Sequence, residues 1–340
     1  MNIEKINSPV INGSDVTFIY YGKAYEVYLT GEYNQWELED RMYRKSGSND
    51  VWYINKSFPE NARFDYKFVV DGNWITDPLN ENKTVISSDN INSNIIMPRY
   101  KSDYEKITVS EVPRGDVIRN LNFNSDYMGC KMKYHVYLPN HYDKAQLTHI
   151  LYALDGSDYL NYSNINLVLD YMIHTGEIPN MAAILVDPND RNKEYTINRR
   201  YLSYFIKELL PNVEAEYLSS SNNTERGITG VSWGGLTAIY IAVNTPSMFT
   251  RLLSQSGSFW PKDWLIFDMI NKANIDGIKF CLQTGTVQDT EEMNDVMAEL
   301  LQKKHINIEY VKYAESHNWV NWKGHLNEGL RSIYTPYKGE

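Results

Sequence analysis

This sequence has few cysteines, and it lacks a basic run and a long apolar stretch. Each of these features argues against a class of protein. The two cysteines, Cys130 and Cys281, lie in strand-like segments without metal-ligand spacing, so we expect reduced, buried thiols and no metal site. A net charge of −10 without a basic cluster argues against a nucleic-acid partner. No apolar run approaches the length of a membrane span, so no membrane partner is expected.

The amino-terminal segment also lacks an apolar core. Residues 1–10 are polar and do not contain the hydrophobic stretch that a signal peptide requires. We therefore expect a cytoplasmic protein, with the alternative that a leader has been removed from the mature chain.

The pattern of the chain changes near residue 116, which predicts two domains within its 340 residues. Residues 1–100 contain short alternating segments such as Val16–Tyr20, with hairpin signals at Asn12–Gly13, and predict an immunoglobulin-like β-sandwich. Residues 101–115 are polar and turn-prone and predict a linker. Residues 116–340 alternate strand-like and helix-like segments, which predicts an α/β fold with a mostly parallel sheet and helices on both faces.

The segment Gly230–Gly234, with the sequence G-V-S-W-G, is the feature around which the second domain is organised. A strand-like segment, Arg226–Thr229, precedes it, and apolar residues at helical spacing follow from Leu236. A G-x-S-x-G motif between a strand and a helix is typical of a nucleophile elbow. We therefore predict that Ser232 is a nucleophile and that the Trp233 N–H is an oxyanion donor.

A serine nucleophile needs a base and an acid, and the sequence offers both downstream of the elbow. His317 follows the last predicted strand, which is where an α/β-hydrolase supplies its base; His325 is the alternative, inside the last helix. Asp289 follows the preceding strand and is the predicted acid, although it also suits a helix N-cap. Glu291 and Glu292 are the alternative acids.

The second oxyanion donor is expected in the loop Asp155–Asp158, which follows an earlier strand. Gly156 permits close backbone approach there, and the Ser157 N–H is the predicted donor. Chemistry of this kind requires no metal and no cofactor.

The amino-terminal segments resemble the glycogen-binding and early-set sandwich modules. The resemblance rests on Glu26–Trp36, Tyr66–Trp74, Asp77–Pro78 and Asn94–Ile96. It implies a sugar-binding platform, in which flat indoles stack on pyranose rings while amide and ammonium groups bind the sugar hydroxyls. The matching positions are Trp36, Lys67, Trp74 and Asn94. The alternative is that the tryptophans only pack within the domain.

The second domain resembles the esterase D group, and within it the enterochelin (trilactone siderophore) esterases. The motifs that carry this resemblance are Leu154–Gly156, Asp187 with Arg191–Glu194, Glu208–Pro211, Gly230–Gly235, Leu253–Trp260, and His317–Trp319 with Trp322. The resemblance implies an α/β-hydrolase fold and places Arg191, Asn198 and Trp260 near the substrate cleft; Arg191 has the alternative of pairing with Glu194. The chain departs from the family where the acid is usually found, because that position is Gln288.

Three functions follow as hypotheses. The first is a serine carboxylic-ester hydrolase that acts on a small-molecule ester. The favoured substrate is an enterochelin-type siderophore, followed by another aromatic acyl ester. The second is a carbohydrate esterase, such as a feruloyl or acetyl esterase, whose sandwich holds a glycan. The third is a binding protein whose catalytic domain has lost its activity; the presence of all three triad residue types argues against it.

Overall fold

The structure is a computed structural model that describes residues 7–48, 50–87, 90–217 and 224–335. Its contacts divide the chain into two compact units. The first unit extends to Lys101 and also includes two short later segments, Gly285–Asp289 and Tyr313–His317. The second unit contains the rest of the chain.

The first unit is built from antiparallel strands in two sheets, in agreement with the predicted sandwich. One sheet has the order β1-β2-β6-β5, and the other has the order β4-β3-β7-β10-β9 with β8 paired to β7, for the strands β1 (Val10–Asn12), β2 (Asp15–Tyr21), β3 (Val27–Gly31), β4 (Asp40–Arg41), β5 (Tyr43–Arg44), β6 (Val51–Ser57), β7 (Arg63–Val70), β8 (Asn73–Ile75), β9 (Lys83–Ser87) and β10 (Asn90–Ile96). A single 3₁₀ turn, Glu32–Asn34, follows β3.

The core of the first unit is formed by one face of β7. Phe64, Tyr66 and Phe68 are buried and pack with residues of β2, including Phe18. Because side chains of a strand alternate between faces, the residues between them, such as Lys67, lie on the opposite face of the sheet. The aromatic rings of the core meet edge to face, with 4.9 Å between the ring centroids of Phe18 and Tyr66.

The second unit contains one eight-stranded sheet. Its order is β11-β12-β14-β13-β15-β16-β17-β18, for the strands β11 (Asp116–Ser125), β12 (Cys130–Leu138), β13 (His149–Leu154), β14 (Met181–Val186), β15 (Glu225–Val231), β16 (Arg251–Gln255), β17 (Lys279–Gly285) and β18 (Ile308–Tyr313). The strands from β14 to β17 pair in parallel, whereas β11 and β12 are antiparallel. The sequence analysis did not predict β11, which is an edge strand with mostly exposed side chains.

Helices cover both faces of this sheet, because alternate residues of β13 belong to two separate hydrophobic clusters. The helices are α1 (Tyr104–Thr108), α2 (Gly156–Asn161), α3 (Ile165–His174), α4 (Arg191–Glu194), α5 (Arg199–Tyr204), α6 (Leu210–Tyr217), α7 (Trp233–Asn244), α8 (Leu265–Lys272), α9 (Glu291–Lys303), α10 (Trp319–Gly324) and α11 (Leu326–Tyr334). A π-helical turn, Phe205–Leu209, joins α5 to α6. Among the residues that the structure describes, no helix is long and apolar enough to cross a membrane.

Two expectations from the sequence differ from the structure. The predicted linker, residues 101–115, contains α1, whose Tyr104 and Ile107 are buried in a hydrophobic cluster of the second unit. Cys281 is buried, and burial raises its pKa to about 12, but Cys130 is exposed because it opens β12 immediately after a turn.

Candidate active site

Ser232 lies between β15 and α7 in a strained backbone conformation. Its φ is +56° and its ψ is −120°, values that a residue with a side chain rarely adopts. A Cβ at Gly230 would lie 2.4 Å from the backbone of Gly234, so only glycine lets the strand and the helix approach this closely. Ser232 therefore lies in a strained, glycine-flanked turn between a strand and a helix.

Two neighbouring groups lie close to Ser232. Its Oγ is 3.2 Å from Ser258 Oγ, and its carbonyl accepts a hydrogen bond from the Ser258 N–H at 3.1 Å. Trp233 is the first residue of α7, so its N–H has no carbonyl partner within the helix and suits an oxyanion donor. Ser258 lies in the Leu253–Trp260 motif, and no sequence pattern predicted its place beside Ser232.

Asp289 and His317, the predicted acid and base, form a short hydrogen bond. Their Oδ1 and Nδ1 atoms are 2.6 Å apart. The Asp289 side chain is fully buried, whereas 32% of the His317 side chain is exposed. The second carboxylate oxygen of Asp289 accepts the Gly285 N–H at 2.6 Å. A buried carboxylate on Nδ1 fixes the imidazole so that Nε2 is left to exchange a proton.

The structure separates Asp289 from the alternatives that the sequence left open. Thr290, and not Asp289, is the N-cap residue of α9. Glu291 forms an ion pair with Lys312 at 2.9 Å. The alternative base, His325, is buried between α10 and α11 rather than inside one helix.

The predicted second oxyanion donor, Ser157, is directed elsewhere. Its N–H donates to Asp187 Oδ1 at 2.6 Å, and its Oγ donates to Asp187 Oδ2 at 2.5 Å. Burial works to raise the pKa of Asp187, but hydrogen bonds from His135, Lys133 and Ser157 together hold it well below its usual range. An amide already bound to a carboxylate is a poor oxyanion donor, so the prediction for Ser157 is corrected.

Ser157, His135 and Asp187 contain the residue types of a triad but not its geometry. The Asn120 N–H donates to His135 Nδ1 at 3.1 Å, so in the neutral imidazole Nε2 carries the proton. That Nε2 faces Ser157 Oγ at 3.0 Å and therefore has no lone pair with which to accept the serine proton. This cluster holds the loop before α2 and does not make Ser157 a nucleophile.

Arg191 has a partner that the sequence did not predict. Its guanidinium forms two hydrogen bonds to the Asp155 carboxylate, both 2.9 Å long, and donates to the Val231 carbonyl at 3.2 Å. Burial raises the pKa of Asp155, although the charge of Arg191 opposes the rise. Arg191 therefore ties the loop before α2 to the residue that precedes Ser232, and it does not pair with Glu194.

The other two residues predicted near the cleft differ in their surroundings. Asn198 caps α5, with its Oδ1 accepting from the N–H groups of Arg200 and Tyr201 and its Nδ2 donating to the Lys193 carbonyl. These bonds give Asn198 a capping role at the start of α5, and its predicted place near the substrate cleft stays a prediction. Trp260 is half-exposed, and its ring centroid lies 5.4 Å from that of Trp233.

The residues of the predicted sugar platform do not all reach the surface. Trp36 and Trp74 pack on each other with 6.3 Å between ring centroids and a tilt of 43°, and 49% of Trp74 is exposed. The strand register pairs Val69 with Trp74, which places Lys67 on the same face as Trp74. Asn94 is only 6% exposed, and its Nδ2 donates to Thr84 Oγ1, so its predicted contact with a sugar is corrected.

Comparison with known proteins identifies the family. The esterase family model matches residues 125–333, which is more than half of the chain. The chain belongs to the esterase family. A second model, described as the glycogen recognition site of AMP-activated protein kinase, matches residues 14–103 of this esterase-family protein.

Curated relatives of this esterase-family protein include enterobactin esterases and xylan-degrading enzymes. The iron(III) enterobactin esterase of Escherichia coli K12 is 25% identical over 195 residues, which cover 54% of this chain and 49% of the relative. The match thus spans about half the length of that relative. The endo-1,4-β-xylanase Y of Acetivibrio thermocellus is 27% identical over 176 residues, which cover 45% of this chain and 16% of the relative.

Solved structures confirm the predicted fold class of the esterase-family protein. The enterobactin esterase of Shigella flexneri, crystallised in the presence of enterobactin, has a TM-score of 0.73 and 21% identity, with 94% of this chain and 92% of that chain covered. A feruloyl esterase module of Clostridium thermocellum, complexed with sinapinate, has a TM-score of 0.56 and 19% identity, with 69% and 93% covered. At these identities the likeness concerns the fold.

Proposed function

We propose that this protein is a serine carboxylic-ester hydrolase in which Ser232 is the nucleophile, His317 the general base and Asp289 the residue that orients His317. The observation that carries the proposal is the strained, glycine-flanked conformation of Ser232 within a chain of the esterase family. The 2.6 Å bond between Asp289 and His317 supports it. So does the sheet order, because all three residues follow the carboxyl ends of strands in one sheet.

The reaction proceeds through an acyl-enzyme. Ser232 Oγ attacks the acyl carbon while its proton passes to His317 Nε2, and Asp289 stabilises the imidazolium without taking the proton. The Trp233 N–H stabilises the negative charge that develops on the acyl oxygen. The alcohol leaves with the proton of His317. Water, activated by His317, then attacks the acyl-enzyme, releases the carboxylic acid and restores Ser232.

We propose a siderophore trilactone of the enterobactin type as the first candidate substrate. Trp233 and half-exposed Trp260 lie beside the nucleophile, and flat aromatic side chains suit an aromatic acyl group. The Arg191 guanidinium lies 5.8 Å from the Trp233 ring and adds a cation near it. The names of the enterobactin esterases among the relatives support the same choice. A cytoplasmic location belongs to this proposal.

A feruloyl or acetyl esterase with a glycan-binding sandwich is the second candidate. The match to a glycogen recognition model favours it, as do the half-exposed Trp74 and the Lys67 on its face of the sheet. The match to a bifunctional endo-1,4-β-xylanase/feruloyl esterase from Xylanibacter ruminicola, 23% identical over 236 residues, points the same way.

Hydrolysis of an iron–enterobactin-type trilactone, methyl ferulate and p-nitrophenyl acetate, measured side by side, tests the substrate. Fast cleavage of the trilactone alone supports the first candidate, whereas preference for ferulate or acetate supports the second. Irreversible labelling by a fluorophosphonate, absent in Ser232→Ala, tests the serine chemistry itself. A protein that resists labelling and cleaves none of the three esters is a binding protein, as the remaining hypothesis holds.

Retention on glucan or xylan gels tests the sandwich separately. We expect Trp36→Ala and Trp74→Ala to abolish retention, because stacking of a sugar ring on an indole supplies most of the affinity of such a platform. Asn94→Ala should leave retention unchanged, since Asn94 is buried. If the unaltered protein is not retained, the platform does not exist.

A further inference from the structure

Two segments that follow strands of the second unit belong, by their contacts, to the first unit. They are Gly285–Asp289, after β17, and Tyr313–His317, after β18. Each segment ends on one member of the proposed acid–base pair. The surroundings of Asp289 and His317 therefore include residues of the sandwich.

The segment that ends at His317 is fixed in the sandwich through Ala314. Ala314 is 6% exposed and belongs to the hydrophobic cluster that contains Phe64 and Tyr66. Its carbonyl accepts the N–H of Arg63, the first residue of β7, at 3.0 Å. An apolar contact and a backbone hydrogen bond thus hold the chain three residues before His317.

The segment that ends at Asp289 is fixed through Gln288. Gln35 Nε2 donates to Gln288 Oε1 at 2.6 Å, and Gln288 Nε2 lies 3.5 Å from the Tyr33 carbonyl. Gln288 has a φ of +50°, so its backbone is in the left-handed region that favours glycine. Val287 packs against the same hydrophobic cluster as Ala314. Both sides of the contact lie outside the regular strands and α-helices.

The two segments are also bonded to each other. The Thr286 N–H donates to the Tyr313 carbonyl at 2.8 Å, and the Val287 N–H donates to the Glu315 carbonyl at 3.1 Å. Displacement of one segment therefore moves the other, and with it the bond between Asp289 and His317.

We propose that the sandwich positions the Asp289–His317 pair, and that Gln35 and Gln288 are positioning residues for the reaction. The inference rests on the proposed serine hydrolysis. The sandwich then contributes to the reaction whether or not it binds a sugar.

Kinetic analysis of Gln288→Ala, Gln35→Ala and the double variant tests this role. We expect each single change to lower kcat about threefold to tenfold, the range that one neutral hydrogen bond supplies, with KM within about twofold. The double variant should be no worse than either single one, because both remove the same contact. Gln288→Glu keeps the acceptor oxygen for Gln35 and should recover most of kcat. Gln302→Ala, an exposed glutamine on α9, is the matched control.

A second readout does not depend on the substrate. The proton between His317 Nδ1 and Asp289 should give a low-field resonance in the proton NMR spectrum, assigned by its loss in His317→Gln. We expect Gln288→Ala to weaken or broaden it, whereas Gln302→Ala should leave it unchanged. Equal thermal unfolding temperatures would show that the variants remain folded.

The outcomes separate this inference from the proposed function. If the unaltered protein cleaves esters but kcat and the resonance are unchanged in Gln288→Ala and Gln35→Ala, the positioning role is wrong. If it cleaves no ester but Gln288→Ala still weakens the resonance, the hydrolase proposal fails and the positioning of the pair stands. If the unaltered protein gives no low-field resonance, or if the resonance is unchanged in a Gln288→Ala variant, the positioning role is overturned.

Discussion

Ser232 and the Asp289–His317 pair are held by two different kinds of structure. Ser232 is fixed by its own backbone, in a turn between a buried strand and a helix whose residues Gly234–Val243 are all buried. Asp289 and His317 end two irregular segments, and these are held by individual contacts such as Gln35–Gln288 and Ala314–Arg63. The comparison teaches that the conformation of Ser232 depends on the core of the second unit, whereas Asp289 and His317 depend on individual contacts within the first.

The largest expected effect is the loss of the nucleophile. Ser232→Ala should lower kcat by on the order of 10⁶, because covalent catalysis is lost while binding remains. The fold should stay intact, since alanine keeps the backbone and removes only the hydroxyl. Ester hydrolysis, with circular dichroism for the fold, measures the effect. Ser258→Ala is the control, as its Oγ lies 3.2 Å from that of Ser232. Near-normal turnover of Ser232→Ala would refute the assignment.

A smaller loss of kcat is expected when the proposed acid, Asp289, is changed. Asp289→Asn should lower kcat by roughly 10⁴, since an amide does not favour the imidazole tautomer that leaves Nε2 free to accept a proton. Glu291→Gln is the matched control and should have little effect, because Glu291 pairs with Lys312. A greater loss in Glu291→Gln or Glu292→Gln than in Asp289→Asn would mean that the acid is wrongly assigned.

Local patterns predicted most strands of the second unit and placed Ser232, Asp289 and His317 after strands, because these features depend on residues near each other in the chain. The run from Met181 to Val186 is continuously apolar, and all six residues are buried in a parallel strand. The turn at Ser232 needs only Gly230, Gly234 and their flanking segments. Such features are determined by spacing and chain geometry.

Two of the corrected predictions concern polar partners that are distant in sequence. Ser157 binds Asp187, and Arg191 binds Asp155 although Glu194 is three residues away. The Gln35–Gln288 contact joins residues 253 positions apart. No periodicity records which of several acids, amides or carbonyls a polar group will meet once the chain has folded. Charge and residue type narrowed these choices, and tertiary packing decided them.

A substitution at Gly285 tests whether the close packing of the segments Gly285–Asp289 and Tyr313–His317 is needed for activity. A Cβ at Gly285 would lie 2.1 Å from the Glu315 carbonyl oxygen and 2.6 Å from Asp289 Oδ2. Gly285→Ala should therefore displace both segments and lower kcat about 10²-fold, the cost of misplacing a catalytic group by about 1 Å. Labelling of Ser232 by a fluorophosphonate should slow in parallel.

Thr286→Ala, an exposed neighbour, is the control for this change, and its kcat should remain close to that of the unaltered protein. If Gly285→Ala retains full activity, the two segments adapt easily and the contrast between a rigid nucleophile and separately held partners does not apply.

The smallest expected effect concerns stability, where two buried aspartates, Asp77 and Asp187, should respond to pH in opposite directions. Burial raises the pKa of Asp77 in the first unit, despite hydrogen bonds from Ser8 and Tyr66. The folded state then binds a proton more tightly than the unfolded chain does. The contribution of Asp77 to the free energy of unfolding should therefore fall as the pH rises from about 3.9 through its raised pKa.

Asp187 in the second unit should behave in the opposite way, because hydrogen bonds from His135, Lys133 and Ser157 outweigh its burial and lower its pKa. Its contribution to stability is present above about pH 3.9 and is lost as the pH falls towards its lowered pKa.

Denaturant unfolding of Asp187→Asn and Asp77→Asn at pH 3.5 and pH 7 measures both contributions. Asp187→Asn should be less stable than the unaltered protein by about 1–3 kcal/mol at pH 7 and by less at pH 3.5. For Asp77→Asn, the free energy of unfolding relative to that of the unaltered protein should instead be higher at pH 7 than at pH 3.5. Equal shifts of the same sign would show that the hydrogen bonds to Asp187 do not outweigh its burial, and would remove the electrostatic difference between Asp187 and Asp77.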